Sequence, residues 1–273
     1  MNSPTTPIAA RFTQLREAGQ MAFMPFVTAG DPDLDTTLAV IGELGRRGVD
    51  LIEVGFPYSD PIADGPVIQA SYQRALESGL TVDAIFDRLG ELDRESTPPL
   101  VAMVSYAIVF RKGPEEFVSR AAASGFSGMI VPDLPGDEAA ELSTVVTDGG
   151  LDLVQLVAPT TPPSRLDGIL ATASGFLYCI SVAGTTGVRD AVPTELAAQL
   201  ADLRSRTDLP LAVGFGISEA EHVVSLKGVA DGAIVGSALV RRLGSIAVDG
   251  EDRAVVLDRA GEWLDGLVEA AHS

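Results

Sequence analysis

The chain has 273 residues, 46% of them hydrophobic, which is enough to bury a substantial core in one large α/β domain or two small ones. Its formal net charge of −19 argues against nucleic acid or an anionic membrane surface as a partner, because both are negatively charged. One cysteine and two histidines exclude an intrachain disulfide, a cysteine metal cluster and a multi-histidine metal site.

The N-terminal stretch MNSPTTPIAARFTQLREAG has no apolar run of the kind that a signal peptide needs. No stretch of the sequence approaches the length of a membrane span. We therefore expect a soluble, cytoplasmic protein. Residues 7–19 predict a helix that precedes the first strand.

Eight short apolar runs follow, each rich in Val, Ile, Leu or Phe and short enough to be a buried parallel strand. They are residues 21–30, 51–57, 100–106, 128–134, 151–159, 175–181, 211–218 and 232–240. Segments with apolar residues at helical spacing lie between and after them, at 37–48, 114–125, 137–150, 163–175, 193–206 and 252–271, with two more pieces within 64–94.

This alternation has no linker-like break and predicts a single-domain (β/α)8 TIM barrel over residues 1–273, with an extra N-terminal helix. A doubly wound open sheet is the alternative. The count of eight strands and the lack of an early GxGxxG weigh against it. In such barrels the chemistry lies at the C-terminal ends of the strands.

Glu53 lies in the middle of the second apolar run, LIEVGFP. Alternation places Ile52 and Val54 on the face that meets the helices, so Glu53 points into the barrel. Burial should raise the pKa of its carboxyl toward neutrality, as a general acid or base requires. The alternative is a structural glutamate bound by an arginine or by backbone amides.

Asp64 follows the same strand, in the stiff turn YSDPIADGP. On local grounds it is a candidate N-cap for the helix after it, because Asp is a favoured capping residue. Asp60 is more plainly a turn residue. In the sixth run, a tyrosine at the position of Tyr178 is usually a core residue whose hydroxyl finds one partner.

Glycine-containing stretches follow the last three strands, at residues 183–188, 214–218 and 236–240. Many (β/α)8 enzymes hold a substrate phosphate at this position, and a short helix starting near Ser237 would add its N-terminal dipole. Neither Lys112 nor Lys227 lies within a strand, which argues against Schiff-base chemistry. The residues alone thus indicate a lyase or isomerase that uses carboxylates, without metal or cofactor, on a phosphorylated substrate.

The stretch LIEVGFPYSDPIADGP (51–66) closely resembles the tryptophan synthase α subunit family over all its residues. The resemblance extends over most of the chain, in the family's order, through PFVTAGDP (25–32), GMIVPDLP (128–135), SVAGTTGVR (181–189), VGFGIS (213–218) and GAIVGSA (232–238). It implies a (β/α)8 barrel that splits indole-3-glycerol phosphate into indole and glyceraldehyde 3-phosphate by a retro-aldol route, without metal or cofactor.

The same resemblance assigns roles to particular residues. Glu53 matches the catalytic proton shuttle, Asp64 the aspartate that binds the indole N–H, and Tyr178 a tyrosine near the reacting end. The glycerol phosphate would lie against Thr186, Gly187, Gly216, Gly236 and Ser237. The indole pocket would be lined by Phe26, Tyr106, Leu156 and Phe215.

The resemblance also implies a partner, a pyridoxal-phosphate β subunit in an α2β2 heterotetramer, to which indole passes through a tunnel. The loops at 57–64 and 182–196 would close over substrate and face that partner. One position departs from the family's pattern, because Ile108 stands where many relatives carry Asn, and this puts the coupling between subunits in doubt. A free-standing lyase and an idle paralogue that only activates a β subunit are the alternatives.

Overall fold

The computed structural model describes residues 6–62, 64–180, 193–214 and 216–273. Eight parallel strands pair in chain order, and the last pairs with the first to close a barrel, so the predicted fold class is confirmed. The strands are β1 (Ala22–Thr28), β2 (Ile52–Gly55), β3 (Leu100–Met103), β4 (Phe126–Ile130), β5 (Asp152–Val157), β6 (Leu177–Ile180), β7 (Leu211–Gly214) and β8 (Gly232–Val235).

Helices cover the outside of the barrel and one of its ends. They are α1 (Pro7–Ala18), α2 (Leu34–Arg46), α3 (Pro66–Glu77), α4 (Val82–Leu89), α5 (Tyr106–Lys112), α6 (Pro114–Ala123), α7 (Ala140–Asp148), α8 (Pro163–Thr172), α9 (Thr194–Arg204), α10 (Ala220–Ser225), α11 (Ser237–Leu243), α12 (Ser245–Val248) and α13 (Arg253–His272). A 3-10 turn at Gly136–Glu138 precedes α7. None of the helices in the described part of the chain is long and apolar enough to cross a membrane.

The sequence did not predict α5, α10 or α12. Each has seven residues or fewer, which is too short to display the spacing of an amphipathic helix. The third and eighth apolar runs also continued past the ends of β3 and β8, because the third reaches Tyr106, the first residue of α5, and the eighth includes residues of α11.

The first helix, α1, closes the N-terminal end of the barrel. Ile8 and Phe12 belong to the same apolar cluster as the inward side chains of the strands, and the ring of Phe12 lies 5.7 Å from that of Phe176. Thr6 caps α1 and donates a 2.6 Å hydrogen bond to the buried carboxylate of Asp152 on β5. Because α1 covers this end of the barrel, we expect a ligand to enter at the opposite end, where the strands finish.

The two faces of β2 separate as the alternation predicts. Leu51, which immediately precedes the strand, packs in the inner cluster that fills the barrel. Ile52 and Val54 pack in the outer cluster between barrel and helices. Glu53 therefore shares the inner face, and its strand partners in register are Phe26 on β1 and Val101 on β3.

Candidate active site

The carboxyl group of Glu53 is completely buried in the barrel interior, with 0% of the residue exposed. Neither Oε1 nor Oε2 has a hydrogen-bond partner among the described residues, so nothing there supports the alternative of a glutamate bound by an arginine or by amides. Burial raises the pKa of this group to about 8, because the charged form loses its hydration. Glu53 is thus a largely protonated acid at neutral pH.

Asp64 lies in the loop between β2 and α3. The residue that caps α3 is Gly65, and no side chain makes a capping hydrogen bond there, so the local interpretation of Asp64 as an N-cap is wrong. Its Oδ2 instead accepts a 3.4 Å hydrogen bond from the hydroxyl of Tyr58. Burial raises the pKa of the Asp64 carboxyl, and the bond from Tyr58 opposes this rise. The carboxyl is free to meet a ligand because the cap does not use it.

Tyr178 on β6 packs against the inner cluster of the barrel, so it lies in the same interior as Glu53. Its hydroxyl occupies the place where a side chain at Gly214 would begin, since a Cβ built there would lie 2.5 Å from that oxygen. Burial raises the pKa of the Tyr178 phenol well above its usual value, and the charges of Glu53 and Asp64 act in the same direction. The structure thus brings together the three residues predicted to be catalytic.

Two tyrosines at this site were not singled out in the sequence. Tyr72 on α3 is buried, and its hydroxyl and the ring of Phe26 fill the space beside Gly55, where a Cβ would lie 2.7 Å from the hydroxyl and 2.4 Å from the ring. The ring of Tyr58 packs 5.6 Å from that of Tyr72. Tyr58 stands in the quoted motif, whereas Tyr72 lies in a helix whose spacing alone does not distinguish a site residue from a core residue.

Three of the four predicted indole-pocket residues are described, and each packs in or against a different apolar cluster. Phe26 packs with Tyr72 in an apolar cluster at the mouth, and Leu156 packs against the inner cluster. Tyr106 begins α5, packs against the outer cluster and has its ring 6.2 Å from that of Phe110, so the structure does not group it with Phe26 and Leu156. Phe215 lies outside the described residues.

Three of the residues predicted to bind phosphate lie in the described part of the chain. Gly216 has a φ of +39°, which favours glycine, and no atom of the described residues outside its chain neighbours lies within 4 Å of the position of a Cβ there. Of the residues that the structure describes, a Cβ at Gly236 would touch Phe26 alone, at 3.8 Å, and Ser237 begins α11 as predicted. The described part of the chain thus leaves space beside both glycines. Thr186 and Gly187 lie outside the described residues.

The mouth of the barrel carries several acids. Burial raises the pKa of Tyr58 to about 12, and the charges of Asp64, Asp133 and Asp60 add to the rise. An anionic group would therefore be held better by the backbone N–H groups beside the glycines than by the side chains near β2. Among the described residues no group of three or more His, Cys, Asp or Glu is placed to hold a metal ion.

Comparison with known proteins gives consistent matches. The family model described as "Tryptophan synthase alpha chain" matches residues 12–265. A tryptophan synthase alpha chain from Rhodopirellula baltica is 50% identical over 241 residues, 87% of each chain, and one from Prochlorococcus marinus is 44% identical over 98% of this chain and 97% of its own.

Solved structures agree with these matches. A tryptophan synthase subunit alpha from Legionella pneumophila superposes with a TM-score of 0.87 at 31% identity, covering 97% of this chain and 98% of its own. A chain of a tryptophan synthase complex from Pyrococcus furiosus has a TM-score of 0.79 at 37% identity, covering 90% and 99%.

Proposed function

Because this chain belongs to the tryptophan synthase alpha chain family, we propose that it cleaves indole-3-glycerol phosphate to indole and glyceraldehyde 3-phosphate in tryptophan biosynthesis. The observation that carries the proposal is the buried Glu53 carboxyl, which has a raised pKa and no hydrogen-bond partner among the described residues. As the family resemblance implies, the reaction uses no metal or cofactor. The cytoplasmic location expected from the sequence remains part of the proposal.

The chemistry assigns Glu53 two proton transfers. As the neutral acid, it gives its proton to C3 of the indole ring, which leaves positive charge on the ring nitrogen. The resulting Glu53 carboxylate then takes the proton of the glycerol hydroxyl next to the bond. As that oxygen becomes the aldehyde carbonyl, the C–C bond breaks and its electron pair returns to the ring, which neutralises the nitrogen. A carboxyl with a pKa of about 8 is suited to both steps, because it is protonated near neutral pH and so can give the proton, and its carboxylate is then basic enough to take one.

Asp64 and Tyr178 support the charge changes of this sequence. The Asp64 carboxylate lies at the mouth, where it would bind the indole N–H and offset the charge that develops on the ring nitrogen. Tyr178 keeps its phenolic proton, since its pKa lies well above the usual value, and it would pack beside the reacting carbons as a neutral group. Backbone N–H groups at Gly216, Gly236 and Ser237, together with Thr186 and Gly187, would hold the phosphate.

The partner in this proposal is a tryptophan synthase β subunit in an α2β2 heterotetramer, and the Pyrococcus furiosus relative is a chain of a tryptophan synthase complex. Two exposed apolar side chains near the barrel mouth are evidence for a surface that binds the β subunit. Ile62 in the loop after β2 is 83% exposed, and Phe110 on α5 is 70% exposed. Ile108, which replaces the usual Asn, is half-buried against the outer cluster on the same helix as Phe110.

The test is an indole-release assay on the pure chain, with and without a β subunit. We expect release from indole-3-glycerol phosphate that rises strongly when the β subunit is added. Equal rates in both assays would favour a free-standing lyase instead. No release in either assay would favour an idle paralogue that only activates its partner.

Replacing Asp64 by Asn is expected to lower kcat by about 10²-fold, because a neutral amide cannot offset the charge on the ring nitrogen. The matched control is Asp60→Asn, which removes a charge from an exposed position in the same loop and should change kcat little. Steady-state measurement of indole release compares the two variants. Equal kcat values would remove the catalytic role of Asp64.

A further inference from the structure

The only tryptophan in the chain, Trp263 on α13, contacts the loop that follows β7. Its indole Nε1–H donates a 2.9 Å hydrogen bond to the backbone carbonyl of Ser218. Ser218 lies two residues after Gly216, at which the proposed function places a phosphate-binding N–H group. A side chain from the last helix thus holds the end of a loop at the barrel mouth.

The orientation of the Trp263 ring is itself fixed by Arg242 on α11. The guanidinium carbon of Arg242 lies 3.8 Å from the centroid of the ring, a close cation–π contact. Arg242 Nη1 also donates a 3.0 Å hydrogen bond to the carbonyl of Ala238, in the first turn of α11. The Trp263 ring therefore lies between the loop after β7 and the helix that begins at Ser237.

Two further contacts hold the end of the loop after β7. The amide of Ser218 donates a 3.3 Å hydrogen bond to Nδ1 of His222, and the side chain of Ile217 is buried in the outer cluster. Gly216 itself is exposed, and the described residues leave open the place where a side chain would begin. An open glycine next to an anchored Ile217–Ser218 pair is the arrangement expected when a backbone N–H must be aimed at a ligand.

We infer that Trp263 and Arg242 are positioning residues that hold the loop at Gly216 and the start of α11 at a fixed separation, so that backbone N–H groups from both converge on one phosphate. Neither side chain is required to touch the phosphate. The inference rests on the proposed function for the identity of the site. It adds that the affinity of the site for phosphate depends on a side chain of α13.

Trp263→Phe isolates the hydrogen bond, because phenylalanine keeps an aromatic ring against Arg242 but has no N–H donor. One hydrogen bond of this kind corresponds to a change of about three- to tenfold in an equilibrium constant. The matched control is Asp265→Asn on the same helix, since Asp265 pairs with Arg47 at the end of α2 and, among the described residues, forms no hydrogen bond or ion pair with the loop. Gly236→Val is the variant in which the proposed phosphate site is blocked, because the valine side chain would enter the space beside Phe26.

The measurements are calorimetric titration with inorganic phosphate and steady-state kinetics with indole-3-glycerol phosphate. We expect Trp263→Phe to raise the Kd for phosphate and the KM for substrate by about three- to tenfold, with kcat unchanged. Asp265→Asn should match the wild type, and Gly236→Val should not bind phosphate. A Kd for phosphate that is the same in Trp263→Phe and the wild type would overturn the inference.

Intrinsic fluorescence gives a second test that needs no variant at position 263. Because Trp263 is the only tryptophan, its emission reports on the surroundings of its ring beside Ser218, and a loop that is already held predicts the same emission with and without saturating phosphate. A large shift of the emission in the wild type that is absent in Gly236→Val would show that the loop rearranges on binding, and would overturn the inference even if Trp263→Phe failed to fold. If no indole is released but Trp263→Phe weakens phosphate binding, the positioning role stands and the proposed reaction fails.

Discussion

Glu53→Gln is expected to lower the rate of indole release by about 10²- to 10⁴-fold, the range found for the loss of a positioned general acid or base. Glutamine has nearly the shape of the protonated glutamic acid, so it fits the same buried space on β2. It cannot give a proton to the indole ring or take one from the glycerol hydroxyl. The loss should therefore appear in kcat, while substrate binding remains.

The control for this prediction is a second buried carboxyl group in the same barrel. Asp152 lies at the closed end, bonded to Thr6, and burial also raises the pKa of its carboxyl. Asp152→Asn also replaces a buried carboxyl by an amide, but at the opposite end of the barrel from the mouth. It should leave kcat near the wild-type value. If Glu53→Gln keeps most of its activity while it binds phosphate normally, the proton-shuttle role of Glu53 is wrong.

The sequence predicted the barrel because its signal is repeated along the chain. Eight apolar runs separated by helical segments leave few ways to bury all the strands, and small errors at the ends of β3 and β8 do not change that topology. The inward direction of Glu53 was predictable for a similar reason, since alternation along β2 leaves its side chain only two faces. Both the barrel topology and the direction of Glu53 were predictable because each follows from a regular pattern of apolar residues along the chain.

The parts that the sequence did not predict depend on contacts between distant residues. Asp64 precedes a helix and is a residue type that often caps helices, yet Gly65 occupies the cap position. The Asp64 carboxylate instead accepts a hydrogen bond from Tyr58. Tyr106 ends the third apolar run, but it also begins α5, where its ring lies 6.2 Å from that of Phe110. Neither outcome follows from local spacing, because each is decided by where a neighbouring element places its side chains.

The stability of the protein is expected to fall as the pH rises from about 5 to 8, because of Glu53. The pKa of this group is about 8 in the folded protein and near 4.5 when the chain is unfolded and hydrated. Between these values the folded state binds one proton more than the unfolded state, so raising the pH favours unfolding. The full effect is about 5 kcal/mol at about 1.4 kcal/mol per pH unit, and it is absent below about pH 4.5.

Other groups also titrate in the folded protein, so the measurement must isolate Glu53. Urea unfolding of the wild type and of Glu53→Gln at pH 5, 6, 7 and 8 does this, because the variant has no proton to lose at this position. The difference in the free energy of unfolding should grow in favour of Glu53→Gln by about 1.4 kcal/mol per pH unit. A difference that stays constant with pH would mean that Glu53 is ionised and compensated in solution. It could not then be the neutral acid that begins the cleavage, and the proposed order of proton transfers would have to be abandoned.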